Sequence, residues 1–227
     1  MRWYSSTAML FQDRRDAGRA LAQIVAKLPD LHEAVVLGLP RGGVPVAFEI
    51  ASACNLPLDI LIVRKLGAPG QRELAMGAVA SGGVVVLNQN ILKDLHISAA
   101  ALRAVTEREL RELERCERAY RGNLPPLKIE GRMAILVDDG LATGASMRAA
   151  ARVVRPLSRQ VVIAVPAGAR SVCCELQCEA DSVICATMPE PFVAVSQCYG
   201  DFEPTSDEEV RALLSQARRD RGPPPAA

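Results

Sequence analysis

The chain has 227 residues, 49% of them apolar, enough for one large or two small domains with a substantial core. Lys and Arg total 27 against 26 Asp and Glu, so the net charge of +1 implies no polyelectrolyte partner, and no nucleic-acid ligand is expected. No apolar run reaches the ~18 residues that span a membrane, residues 1–7 lack the apolar core of a signal segment, and a cytoplasmic setting is the default.

Residues 13–28 place Ala17, Leu21, Ile24, Val25 and Leu28 on one face of a helix. Asp13 can cap it and Asp16 suits its first turn. Residues 34–39 form a short buried strand that breaks into Pro40-Arg41-Gly42-Gly43, and a helix follows over 44–54. Pro45 near its start costs little, because the missing N–H would be unpaired there anyway. The two glycines allow backbone conformations closed to other residues and let the chain approach a ligand. Arg41 adds a rigid cationic fork suited to phosphate oxygens.

Residues 58–63 are a further apolar strand, ending in Arg64-Lys65. Two cations at the end of a buried strand are costly unless that edge is wet or faces anions. The Gly- and Pro-rich run from Leu66 to Glu73 is expected to be a mobile loop. Glu73 is read as a solvated charge, with acid–base chemistry as its alternative. Residues 75–80 and 84–87 flank Ser81-Gly82-Gly83 as a β-hairpin. Residues 98–120 are strongly helical, and the Glu/Arg run 107–118 is read as a solvated, salt-bridged face.

The centre of the chain is Ala134-Ile-Leu-Val-Asp138-Asp139-Gly140-Leu141-Ala142-Thr143-Gly144-Ala145-Ser146. Four apolar residues suit a strand buried on both faces of a parallel sheet. The loop 142–146 suits inward backbone amides, two hydroxyls and the positive end of the helix that follows, together an anion cradle. Like charges repel, so Asp138 and Asp139 cannot share that anion. As pure acceptors they suit the hydroxyls of a sugar that carries it. Residues 161–165 and 182–185 are two more strands, with a helix over 169–179 between them. Residues 188–202 are irregular, and Ser206 with Glu209 forms a capping box for a last helix to about 218. Residues 220–227, with three prolines, are expected to fray. Seven cysteines form no disulfide framework and no paired ligand set, so they are read as reduced, mostly buried thiols.

Strand–helix alternation makes a mainly parallel α/β sheet flanked by helices the economical fold. All the candidate loops follow the carboxyl ends of strands, where ligands bind in such sheets. The composite of buried strand, two acids and Thr-Gly loop resembles the diphosphate-sugar signature of type I phosphoribosyltransferases. The N-terminal Asp13, Arg14 and Asp16 resemble a poorly characterised bacterial branch of them. The resemblance implies one domain over 1–219, with a β-hairpin or flexible loop and a small hood at about 187–205. It implies 5-phosphoribosyl 1-diphosphate (PRPP) as substrate, its 5′-phosphate on Ala142, Thr143, Gly144, Ala145 and Ser146. Its diphosphate would lie on Pro40, Arg41, Gly42, Gly43, Arg64 and Lys65. Asp138, Asp139, Lys65 and Arg41 are the expected catalytic set, and Mg²⁺ would be carried mainly by PRPP, with no direct protein ligand. Phe192 in the hood is the expected stacking residue for an acceptor that the sequence does not identify. Ala142 stands where members acting on hypoxanthine or guanine carry an acid, which argues against 6-oxopurine transfer by that route. Ser196 and Cys198 stand where glycine and a larger aromatic are expected. A non-catalytic PRPP sensor, a PRPP or nucleotide hydrolase, and a homodimer stay open.

Overall fold

The computed structural model describes residues 11–122 and 124–221. Residues 222–227 of the expected tail, the segment 1–7 and the side chain of Glu73 lie outside the described residues. In chain order the elements are α1 (Arg14–Val25), β1 (Ala34–Gly38), α2 (Gly43–Cys54), β2 (Leu58–Ile60), β3 (Val63–Ala68), β4 (Gln71–Ala80) and β5 (Val84–Leu87). They continue with α3 (Gln89–Asp94), α4 (Ala99–Arg121), β6 (Met133–Val137), α5 (Ala145–Val154), β7 (Gln160–Ala167), α6 (Arg170–Leu176), β8 (Ser182–Thr187) and α7 (Asp207–Arg221).

The central sheet has the order β2-β1-β6-β7-β8, with every pair parallel. Its strands are apolar runs because both faces are covered: β1 and β6 are buried throughout. One core gathers α1, α2 and α7 residues such as Leu21, Ile50 and Leu214. The other gathers Met147, Ala150 and Val154 of α5 with Cys173 and Leu176 of α6. Asp13 caps α1 by accepting from the Asp16 amide at 2.8 Å. Ser206 caps α7 through the Glu209 amide at 3.1 Å.

Several expectations change. The apolar run 58–63 is not one strand. It leaves the parallel sheet after Ile60 and enters a second, antiparallel sheet, β3-β4-β5, at Val63. Leu61 and Ile62 stay buried through the crossing, so hydrophobicity persists where the strand does not. The segment 66–73 is not an open loop but the tip of the β3–β4 hairpin, turning at Gly70 with φ +76°. The charged run 107–118 is not wholly solvated, since Glu109 is buried, and Arg121 just beyond it is buried too. Arg121 donates to Asp59 Oδ1 at 2.8 Å and to the Ile60 carbonyl at 2.7 Å, and pairs with Glu117. The Leu127 amide closes on Asp59 Oδ2 at 2.9 Å. Residues 220 and 221, expected in the tail, belong to α7. Among the described residues no helix is long and apolar enough to cross a membrane.

Candidate active site

In a parallel sheet of this order, the connections from β1 and β6 leave in opposite directions, which opens a crevice at their carboxyl ends. Two predicted turns meet there. Leu39 extends β1 by donating to the Val137 carbonyl at 2.8 Å, so the chain enters Pro40-Arg41-Gly42 alongside the acidic turn. The Pro40–Arg41 peptide is cis. A Cβ on Gly42 would collide with Asp139 Oδ2, and one on Gly43 would lie 2.6 Å from the Val137 carbonyl oxygen. These glycines are therefore required by close approach to the acidic turn. Gly42 has an ordinary φ of −60°.

Beyond Asp139, Leu141 is pinned beside the end of β7, donating to Ala167 at 2.8 Å and accepting from the Ala169 amide at 3.1 Å. Ala142 and Thr143 then stand exposed. Gly144, at φ +68°, turns the chain into α5 and has no side chain to cap it, so the first turn meets only the Thr143 hydroxyl, which accepts from the Ala145 amide at 3.5 Å. Ala145 and Ser146 are exposed at its start. The exposed first turn of this helix, held by only that one long side-chain contact and with two hydroxyls beside it, has donors and a positive dipole end available for an anion.

Pro40, Arg41, Asp138 and Ser146 line one cavity of about 280 Å³, walled by Leu61, Ile62, Val63, Cys116 and Tyr120. Arg41 lies 3.9 Å from Asp207 Oδ1, which also accepts from the Tyr120 hydroxyl at 2.8 Å. Lys65 lines a larger adjoining groove of about 860 Å³ with Ala145 and Ser146. Val63 and Ser146 border both hollows. Arg64 faces elsewhere. As Lys65's neighbour on a strand it projects to the opposite side, where it donates to Glu109 on α4 at 2.8 Å. Burial would raise the Glu109 carboxyl, but Arg64 and Arg108 outweigh it and hold Glu109 below the usual carboxylate range.

The two acids are not equivalent. Asp138 faces the cavity and accepts from the Asp139 amide at 2.9 Å. Burial, then the neighbouring Asp139 charge, push its carboxyl up to about 8. Asp139 turns the other way, with Oδ2 2.9 Å from Arg14 Nε. The hood reaches the same place: the Tyr199 hydroxyl donates to the Asp139 carbonyl at 2.6 Å, and a Cβ on Gly140 would collide with the Val195 side chain. Tyr199 and Phe202 pack within the hood, their ring centres 4.9 Å apart. Phe192 is half-buried and lines neither hollow. Cys198, where a larger aromatic was expected, is buried. Of the other cysteines, Cys173 and Cys185 are buried, Cys54 and Cys116 half-buried, but Cys174 and Cys178 are exposed, against the expectation of mostly buried thiols for that pair.

The sequence named Arg14 only through its resemblance to a bacterial branch, with no role attached, and it passed over Tyr120. Helical spacing does place Tyr120 beside Cys116 and Leu113 on the inner face of α4, which is the signal that could have found it.

A family model described as "Phosphoribosyl transferase domain" matches residues 8–188. Two provisionally named phosphoribosyl transferases of Mycobacterium tuberculosis, from strains H37Rv and CDC 1551, are each 49% identical over 212 residues. The match covers 93% of this chain and 48% of each relative, so the chain spans about half the length of the curated relatives it matches. The crystal structure of TT1426 from Thermus thermophilus superposes with a TM-score of 0.83 at 42% identity, covering 92% of this chain and 99% of that one. With a parallel sheet, paired loops at its switch point and relatives over nearly its whole length, the chain belongs to the phosphoribosyl transferase domain family.

Proposed function

We propose that the chain transfers the 5-phosphoribosyl group of PRPP to a nitrogenous base or related acceptor, releasing diphosphate. One observation carries this reading: Pro40 and Arg41 of the first turn share one cavity at the β1/β6 switch point with Asp138 and Ser146, the residues that begin and end the acidic loop. The 5′-phosphate would rest on the amides and hydroxyls of residues 142–146. Asp138 would meet a ribose hydroxyl, and Pro40, Arg41 and Gly43 would flank the diphosphate, with Lys65 approaching from the β3 side. Arg64, committed to Glu109, is left out of that set.

In the reaction the bond from C1 to the diphosphate oxygen breaks, its electron pair leaving with diphosphate. The acceptor nitrogen supplies the pair for the new bond and loses its proton to water or diphosphate. The ribosyl ring is cationic between those events, so the protein acts by positioning and by stabilising charge. A contact at 4 Å is worth at most about 4 kcal/mol at a surface-like effective dielectric, so several cations around the leaving group together matter. Mg²⁺ would neutralise the diphosphate when bound. Its coordination would come from substrate oxygens and water, the usual surroundings of Mg²⁺. The seven cysteines are unpaired thiols, the state a reducing cytosol maintains, and this goes with a cytoplasmic setting.

Calorimetry with PRPP and Mg²⁺ tests the reading. We expect Asp138→Ala/Asp139→Ala to bind at least tenfold more weakly, about 1.4 kcal/mol. Unchanged affinity in a folded double variant would remove both acids from the site. A base panel with PRPP should reveal diphosphate release with at least one acceptor; ribose 5-phosphate formed without any base would mark a hydrolase instead.

A further inference from the structure

We propose that Arg14 is a positioning residue that locks the hood onto Asp139, leaving Asp138 as the acid presented to the sugar. This rests on the phosphoribosyl transfer reading and divides labour between two acids that the sequence presents as a matched pair. Arg14 opens α1 and is largely buried, its side chain 11% exposed. A guanidinium is withdrawn from water at a cost that only well-made polar contacts offset. Arg14 makes them in three directions. Nε meets Asp139 Oδ2 at 2.9 Å, one Nη donates to the Glu203 carbonyl at 2.6 Å, and Cζ stacks 3.9 Å over the Phe202 ring.

The surroundings repeat the same connection. The Phe11 amide donates to Cys198 at 2.8 Å, Gly200 donates to Phe11 at 2.7 Å, and Asp201 donates to Gln12 at 2.8 Å. The chain just before Arg14 is thus laced to residues 198–201, and Tyr199 closes on the acidic turn from the hood side. Asp139 Oδ2 is wedged between Arg14 and Gly42, while only Asp138 of the pair lines the cavity with Arg41 and Ser146. Guanidinium, hood and acidic turn form one mechanical unit. A sugar phosphate that steadies the acidic turn also steadies the hood under which the acceptor would enter.

Two measurements on the full chain test this. Hydrogen exchange without ligand should show amides of residues 195–203 exchanging at least tenfold faster in Arg14→Gln. Exchange in β6 and β7 should be unchanged, and Arg14→Lys should lie between Arg14→Gln and the native chain. Arg14→Lys also serves if Arg14→Gln fails to fold. PRPP–Mg²⁺ affinity should fall about tenfold in Arg14→Gln and in Asp139→Asn, and no further when the two are combined. Arg14→Gln with Asp138→Asn should multiply instead. Unaltered hood exchange in both Arg14 variants, or multiplying losses from Arg14→Gln and Asp139→Asn, would overturn the proposal. If the native chain does not bind PRPP, the function reading fails, and hood exchange alone decides whether the lock exists.

Discussion

A carboxyl such as Asp138, whose folded-state pKa is pushed up to about 8 by burial and then by Asp139, destabilises the ligand-free fold once it must ionise. The unfolded chain titrates near 3.9. Between about pH 4 and pH 8 the folded state holds the extra proton, so stability falls as pH rises through that window and levels off above it. Asp138→Asn has no such charge and can keep the bond from the Asp139 amide. It should melt above the native chain, by a margin that widens from pH 5 to pH 8, at about 2–4 °C per kcal/mol for a chain of this size. A pH-independent margin would show that Asp138 is not the titrating group. Gly42 is the second test: with no room for a Cβ between the two turns, Gly42→Ala should force Asp139 away and weaken PRPP binding at least tenfold in calorimetry. Much at this scale was legible beforehand, since Asp138, Arg41 and Ser146 were marked by residue type and neighbours. The Arg14 contacts were not, because its partners lie 125 and 189 residues away along the chain, and no local pattern encodes them.

At the level of elements, the parallel strands could be found because burial on both faces writes them as apolar runs with no polar alternation. The same signal misled at 58–63, where the chain passes from one sheet to another without leaving the interior. Periodicity reports burial, and it cannot show a change of hydrogen-bonding partner. Helix α3 escaped because six residues, none of them buried, leave too little pattern to detect. The start of α5 supports a sharper expectation. Gly144 sits at φ +68° with a prospective Cβ 2.6 Å from Val172. Gly144→Ala should cost about 1–2 kcal/mol from the left-handed backbone alone, lower the melting temperature, and reduce binding of the 5′-phosphate. Equal melting temperatures would mean that the loop finds another conformation.

Taken as a whole, the molecule also holds together through a buried ion pair that lines neither hollow of the candidate site. Asp59 and Arg121, with side chains 1% and 3% exposed, tie the carboxyl end of α4 to β2. Removing one partner of such a pair strands the other, at about 3–5 kcal/mol. Arg121→Met should therefore melt on the order of 10 °C lower by calorimetric scanning, and Asp59→Leu/Arg121→Met should recover part of that loss. A single variant that melts with the native chain would assign the pair no role in stability.

The pairing of β1 with β6 joins Ala34 to Met133, segments roughly a hundred residues apart. Both turns that would grip a phosphorylated sugar hang on that one long-range closure, whose entropic cost falls before any ligand contact can repay it. Helical signal should thus return early during refolding, and ligand competence late. A stopped-flow experiment in which both recover with one time constant would show that this seam zips together with the rest of the chain.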